Sequence, residues 1–235
     1  MKDKYKYIGP LYDFLSSIYG GESIHNCKRA MLTSENVKAG DKILIAGAGH
    51  GKDAIRAAEL GADVTVVDLS ETMLIKLQQA FDKHPKDLKV NVVHADILKV
   101  EEYEHYDMVI ANFFLNVFDA DFMETILNHL IKCTKKGGKF VIGDFAFPSG
   151  NPVSKTIQKG YWYTAALIFY FTSDNAIHEI YNYTELMKSK GIEIDDTKHY
   201  RYLGMNCYTS VMGTKLVASD LGTTSSTKRT EEATA

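Results

Sequence analysis

From Lys42 onward the chain alternates short apolar runs with amphipathic stretches of about 10 residues, and this rhythm limits the possible folds more than any other feature. The runs are Lys42 to Ala46, Val64 to Val67, Val90 to Val93, Met108 to Ala111 and Lys139 to Gly143. Between them lie helical patterns at Lys52 to Leu60, closed by Gly61, and at Glu71 to Phe81, where Ser70 is placed to cap. A third, Asp121 to Cys133, ends in the basic turn Lys135-Lys136-Gly137-Gly138. Apolar runs without polar alternation belong to strands buried on both faces, and such strands form a parallel sheet covered by helices on either side. Ligands of such sheets bind outside the carboxyl ends of the strands. Residues 46–51, 68–70, 94–97, 111–116 and 143–148 are therefore where chemistry is expected.

The flanks read differently. Residues 5–35 have mostly helical spacing, broken at Gly20-Gly21, and predict a helical N-terminal cover. Tyr183 to Lys190 predicts a helix. Thr197 to Leu203 and Cys207 to Val217 predict an antiparallel pair of strands around Gly204. Residues 1–218 are expected to form one domain, with a helical insertion near 150–190. Residues 219–235 hold eight Ser or Thr in seventeen positions, too little apolar surface to offset ordering entropy, so a disordered tail is expected.

Composition removes several function classes. The 235 residues are 45% hydrophobic and 24% charged, which suffices for a core without staples. A net charge of −3 lacks the basic excess of a general nucleic-acid binder, so no nucleic-acid partner is expected. Cys27, Cys133 and Cys207 are odd in number and match no zinc spacing, so neither disulfide nor metal is expected. The opening MKDKYKYIGP shows no signal pattern, and the longest apolar run, Ala165 to Phe171, is far below the roughly 20 residues of a membrane span. A soluble, cytoplasmic protein is the expectation. Oligomeric state is left open.

The first strand runs into Ala46-Gly47-Ala48-Gly49-His50-Gly51 and then a helix, an arrangement that lets a ligand approach backbone amides at a helix N-terminus. Position 52 is Lys52, so the spacing is Gly-x-Gly-x-Gly and lacks the last glycine of a dinucleotide fingerprint. Asp68 ends the second strand, twenty-one residues after Gly47, where an acid accepts from both hydroxyls of a ribose. Asp96, at the end of the third, can accept from the exocyclic amine of adenine. Together they predict an adenosine ligand.

These residues resemble class I S-adenosylmethionine-dependent methyltransferases. Within them the chain is most similar to the ubiquinone/menaquinone-biosynthesis C-methyltransferase family, over residues 8–217. The resemblance rests on Tyr12-Asp13-Phe14-Leu15 with Ile24-His25 and Lys28, Ile43 to Gly51, Val66-Val67-Asp68 and His94-Ala95-Asp96. It extends to Tyr106 to Val109, Lys136 to Lys139, and Asp144-Phe145 with Pro148. It implies an α/β fold with a Rossmann-like, mostly parallel seven-stranded sheet and an antiparallel last strand. It also implies S-adenosyl-L-methionine as cofactor, S-adenosyl-L-homocysteine as product and no metal. Cofactor contacts are then expected from Tyr12, Gly47, Ala48, Gly49, His50, Gly51, Asp68, Leu69, Asp96, Ile97 and Asn112. The superfamily usually carries an acid just before the first glycine or two residues earlier, but Ile45 and Ala46 stand there. The methionine end is left to loop amides, His50 or Tyr12.

Methyl transfer from a sulfonium needs alignment above all, and a base only if the acceptor loses a proton. His25 and His178 are the candidate bases, each with the alternative of an ordinary hydrogen-bonded histidine. Tyr161, Trp162 and Tyr163 open a stretch with six aromatics in eleven positions. It reads equally as the wall of an apolar acceptor pocket or as a core helix, and Lys155 and Lys159 add a third reading, contact with a membrane surface. Phe113 is a further acceptor contact. The acceptor expected is small and fairly apolar, quinone-like, lipid-like or another small metabolite. The rival functions are an NAD(P)-dependent oxidoreductase and a non-catalytic cofactor-binding module.

Overall fold

A computed structural model describes residues 22–173, 176–202 and 204–217. Tyr12, most of the predicted cover and the Ser/Thr-rich tail lie outside the described residues. Helix α1 occupies residues 22–29. The chain then follows β1 (Lys42–Ala46), α2 (Lys52–Glu59), β2 (Asp63–Asp68), α3 (Glu71–Asp82) and β3 (Asn91–His94). After β4 (Tyr106–Asn112) come α4 (Ala120–Cys133), β5 (Thr134–Phe145), α5 (Pro152–Ser173), α6 (Tyr183–Ser189), β6 (Ile192–Tyr202) and β7 (Met205–Lys215).

The seven strands lie in the order β3-β2-β1-β4-β5-β7-β6. The first five are parallel, and β7 is antiparallel to both of its neighbours. Strand order reverses between β1 and β4, which opens the crevice of a doubly wound sheet at their carboxyl ends. Each inner strand feeds two cores. Ile43 and Ile45 of β1 pack with α2 and α3, while Leu44 and Ala46 pack on the opposite face with α4 and α6. A third cluster joins Cys27, Phe145, Trp162 and Tyr208, and seats α5 over the end of β5.

Ser70 caps α3 by accepting from the Met73 amide, as its sequence position suggests. Strand β6 begins at Ile192, five positions before the predicted start at Thr197. It is an edge strand whose partly buried residues alternate with exposed Glu193, Asp195 and their successors, so its charged face hides the strand pattern. Residues Lys135 to Gly138, predicted as a turn, fall within the irregular start of β5, where pairing with β4 slips between Tyr106 and Met108. Among the described residues no helix is long and apolar enough to cross a membrane.

Candidate cofactor site and acceptor wall

The loop after β1 is held from three sides. The Gly47 amide donates to the Val67 carbonyl at 2.8 Å and the Gly51 amide to the Ala48 carbonyl at 3.0 Å. Gly51 caps α2 in the left-handed region, φ 71°, and a Cβ there would sit 2.5 Å from Leu77 Cδ1 of α3. Only glycine satisfies both demands. Gly49 is also left-handed, φ 47°.

Asp68 braces this loop. Oδ2 accepts from the Ala48 amide at 2.7 Å and Oδ1 from the Ser70 amide at 2.8 Å, so the carboxylate joins the glycine loop to the start of α3. The Ala95 amide donates to the Asp68 carbonyl at 3.2 Å, which sets Asp96 beside it. Asp96 Oδ1 accepts from the Leu98 amide at 3.0 Å. Leu69 is exposed and Ile97 buried, on either side of these acids.

Asn112 ends β4 with its side chain inside. Nδ2 donates to the Lys28 carbonyl at 2.9 Å and to Asp53 Oδ2 at 3.2 Å, while Oδ1 has no hydrogen-bond partner among the described residues. Phe113 follows in a left-handed conformation, φ 52°, unusual for a bulky residue. Its amide donates to the Gly143 carbonyl at 2.7 Å and its ring meets Phe145 and Tyr208 edge-on. Strain of this kind gathers at ligand sites.

The two candidate bases are not brought together. His25 lies over the loop, its ring 6.0 Å from that of His50 in an edge contact. Burial first, then the charges of Lys52, His50, Lys28 and Arg29, push its pKa down to about 4, so the ring is neutral at pH 7. His178 stacks on Tyr181 at 4.2 Å. Its Nε2 lies 2.8 Å from the Asn116 carbonyl and Nδ1 2.6 Å from the Glu179 carbonyl. Both nitrogens face acceptors, so no lone pair is presented to a substrate; a base at His178 does not agree with this geometry, and the residue ties the insertion to the loop after β4.

The aromatic trio divides by helical phase. Tyr161 and Trp162 line a small cavity with Phe145, Gln158, Ile180 and Cys207. Tyr161 Oη and Tyr208 Oη are 2.6 Å apart, and Trp162 Nε1 donates to the His178 carbonyl at 3.3 Å. Tyr163 faces solvent and does not join the cavity, because neighbouring helical positions turn by about 100°.

Sequence reasoning passed over Asp144 as a titrating group. It is fully buried and accepts from the Phe145 amide, Asn116 Nδ2 and Tyr183 Oη at 2.7 to 2.8 Å. Burial pushes it up to about 7 despite those donors and the Lys28 charge. The signal was an acid at the end of an apolar strand, Val141-Ile142-Gly143-Asp144. Lys28 was legible only as part of a resemblance. Its Nζ would lie 3.2 Å from a Cβ on Gly49, and only 9% of the residue is exposed.

Residues 43–138 match the family described as "Methyltransferase domain". Over this stretch the chain is similar to methyltransferase domains. A demethylmenaquinone methyltransferase of Paenarthrobacter aurescens is 25% identical over 141 residues, which cover 60% of this chain and 53% of that one. A ribosomal RNA small subunit methyltransferase of Arabidopsis thaliana is 29% identical over 104 residues, 40% of this chain and 29% of that one. The chain spans between 29% and 58% of the length of the curated relatives it matches. Magnesium protoporphyrin IX methyltransferase from Synechocystis, solved with bound SAH, superposes with a TM-score of 0.63 at 17% identity, covering 84% of each chain. That likeness carries the fold alone, and the sheet here is the mostly parallel, seven-stranded one that the resemblance implied.

Proposed function

We propose that the chain transfers the methyl group of S-adenosylmethionine to a small, apolar acceptor. One observation carries this reading. The glycine loop, Asp68, Asp96 and Asn112, from four different strand ends, converge on the crevice where strand order reverses, and an aromatic wall stands beside it. The site fits the cofactor on its own terms. A Cβ on Gly49 would come within 3.2 Å of the Lys28 ammonium, and that ammonium and Asn112 Oδ1, which has no partner among the described residues, are buried polar groups beside the loop and the end of β4. When bound, the cofactor supplies a methyl group on a positively charged sulfur.

In this reading Asp68 takes the ribose hydroxyls and Asp96 the adenine amine, with Leu69 and Ile97 flanking the base. Gly47, Ala48, Gly49, His50 and Gly51 offer backbone to the chain of the cofactor, and Asn112 fixes the end of β4 against α1. Phe113, Tyr161 and Trp162 form the acceptor wall and exclude water, which strengthens every polar contact inside. A neutral His25 retains a lone pair for an acceptor proton. The acceptor is taken to be lipid-borne. Helix α5 shows solvent a stripe of Val153, Ile157, Tyr163, Leu167 and Tyr170, with Lys155 and Lys159 beside it, the composition of a helix lying on an anionic surface. The relative that acts on demethylmenaquinone supports the same chemical class.

Calorimetry tests the cofactor. S-adenosylhomocysteine should bind and NAD should not. Incubation with methyl-labelled cofactor and a panel of quinols, porphyrins and ribosomal RNA then tests the acceptor, and label on RNA alone would reject a small apolar one.

A further inference from the structure

Lys28 is a buried cation that forms no ion pair among the described residues, although the charge of Asp144 reaches it. It sits in the last turn of α1, where its carbonyl accepts from Asn112 Nδ2 and so fixes the helix end to β4. Only 9% of the residue is exposed, and the ammonium is 5.5 Å from the centre of the Phe113 ring. Among the described residues Nζ forms no ion pair and donates to no acceptor. A buried ammonium in that state is costly unless an anion completes it.

The nearby acids are occupied elsewhere. Asp53 gives one oxygen to the Ala54 amide and the other to Asn112. Asp144 is taken up by Phe145, Asn116 and Tyr183. The ammonium instead faces Gly49, at the N-terminus of α2, whose dipole also favours negative charge. The crevice is thus acidic where β2 and β3 end and cationic where the loop meets α1. S-adenosylmethionine has groups to match, with the hydroxyls and exocyclic amine of an adenosine as donors at one end and an α-carboxylate at the other. Ile45 and Ala46 supply no acid for the cofactor's ammonium.

We propose that Lys28 pairs with the α-carboxylate of the cofactor's amino-acid end, so that this chain grips that end by its anion. The proposal rests on the cofactor reading above. It makes Lys28 a specificity residue, which separates the cofactor from adenosine thioethers that lack the amino acid.

The test is calorimetry on the full chain with two probes, S-adenosylhomocysteine and 5′-methylthioadenosine, which lacks the amino-acid end. Lys28→Met should weaken S-adenosylhomocysteine by about 10- to 100-fold and 5′-methylthioadenosine by less than about 2-fold. Lys28→Arg should keep most of the wild-type affinity. The ligand-free melting temperature of Lys28→Met should not fall, because an unpaired buried charge has been removed. Equal weakening of both probes, or of neither, overturns the assignment. Should the variant not fold, the wild type compared on S-adenosylhomocysteine and its α-carboxamide decides the matter, since equal affinity overturns the pairing. A wild type that binds neither probe overturns the cofactor reading itself, and that result is distinct from the others.

Discussion

Asp68 Oδ2 accepts the Ala48 amide at 2.7 Å, so the acid proposed to hold the ribose also holds the glycine loop, where the rest of the cofactor is proposed to lie. One carboxylate serves two purposes, and its loss should show in two measurements. Asp68→Ala should raise the dissociation constant for S-adenosylhomocysteine about 5- to 150-fold, from the loss of about 1–3 kcal/mol of hydrogen bonding, and should lower the melting temperature. Asp68→Asn should be no milder, because both oxygens accept from backbone amides and an NH₂ group would face one of them. Wild-type binding in both variants would remove Asp68 from the site. Asp96→Ala should act in the same direction but less, since adenine's amine offers one contact.

Gly51→Ala tests the loop without touching a charged group. The new methyl would meet Leu77 Cδ1 at 2.5 Å from a left-handed backbone position. A loss of about 1–3 kcal/mol in denaturant unfolding is expected, and the double variant with Leu77→Ala should lose less than the sum of the two single losses. Strict additivity of the two losses would show that the contact does not matter.

Two buried groups give stability opposing pH slopes. Asp144 is raised to about 7, so the folded state holds its proton more tightly than the unfolded chain; its contribution is fully present below about pH 4 and is lost as pH rises through 7. His25 is lowered to about 4, so the unfolded chain binds more protons between pH 4 and about 6.5, and stability from this group rises across that window. The wild type should therefore vary little from pH 4.5 to 6. Asp144→Asn should uncover the rising limb and His25→Gln the falling one, read by urea unfolding at successive pH values. Parallel curves for all three proteins would refute both assignments.

The parts of the site set by local chemistry were legible in the sequence. Gly47, Gly49 and Gly51 stand out because a tight turn before a helix requires them, and Asp68 because a strand end fixes its place. What depended on packing was not. Lys28 looks like any surface lysine until α1 is laid across β4, and His178 looks like a base until the Asn116 and Glu179 carbonyls are found at its two nitrogens. Tyr161, Trp162 and Tyr163 were read as one group, yet the turn of α5 sends Tyr163 outward. The start of β6 was hidden by its alternating charges, since an edge strand keeps only one face dry.

The outward face of α5 is what the proposed lipid-borne acceptor rests on. Val153, Ile157, Leu167 and Tyr170 are each at least 45% exposed, while Trp162 on the inner side is 5% exposed and bonded to His178. Exposed residues contribute little to folding, so Ile157→Glu with Leu167→Glu should leave the melting temperature within a few degrees of wild type. If the stripe rests on lipid, the wild type should co-sediment with anionic vesicles, less so as salt is raised, because Lys155 and Lys159 are screened. The double variant should stay in the supernatant. Trp162 emission should remain blue with and without vesicles, as expected of a core indole, so sedimentation rather than fluorescence is the readout. A wild type that ignores anionic vesicles at low salt would leave the cofactor site intact and reject the lipid-borne acceptor, and the aromatic wall would then have to admit its substrate from water.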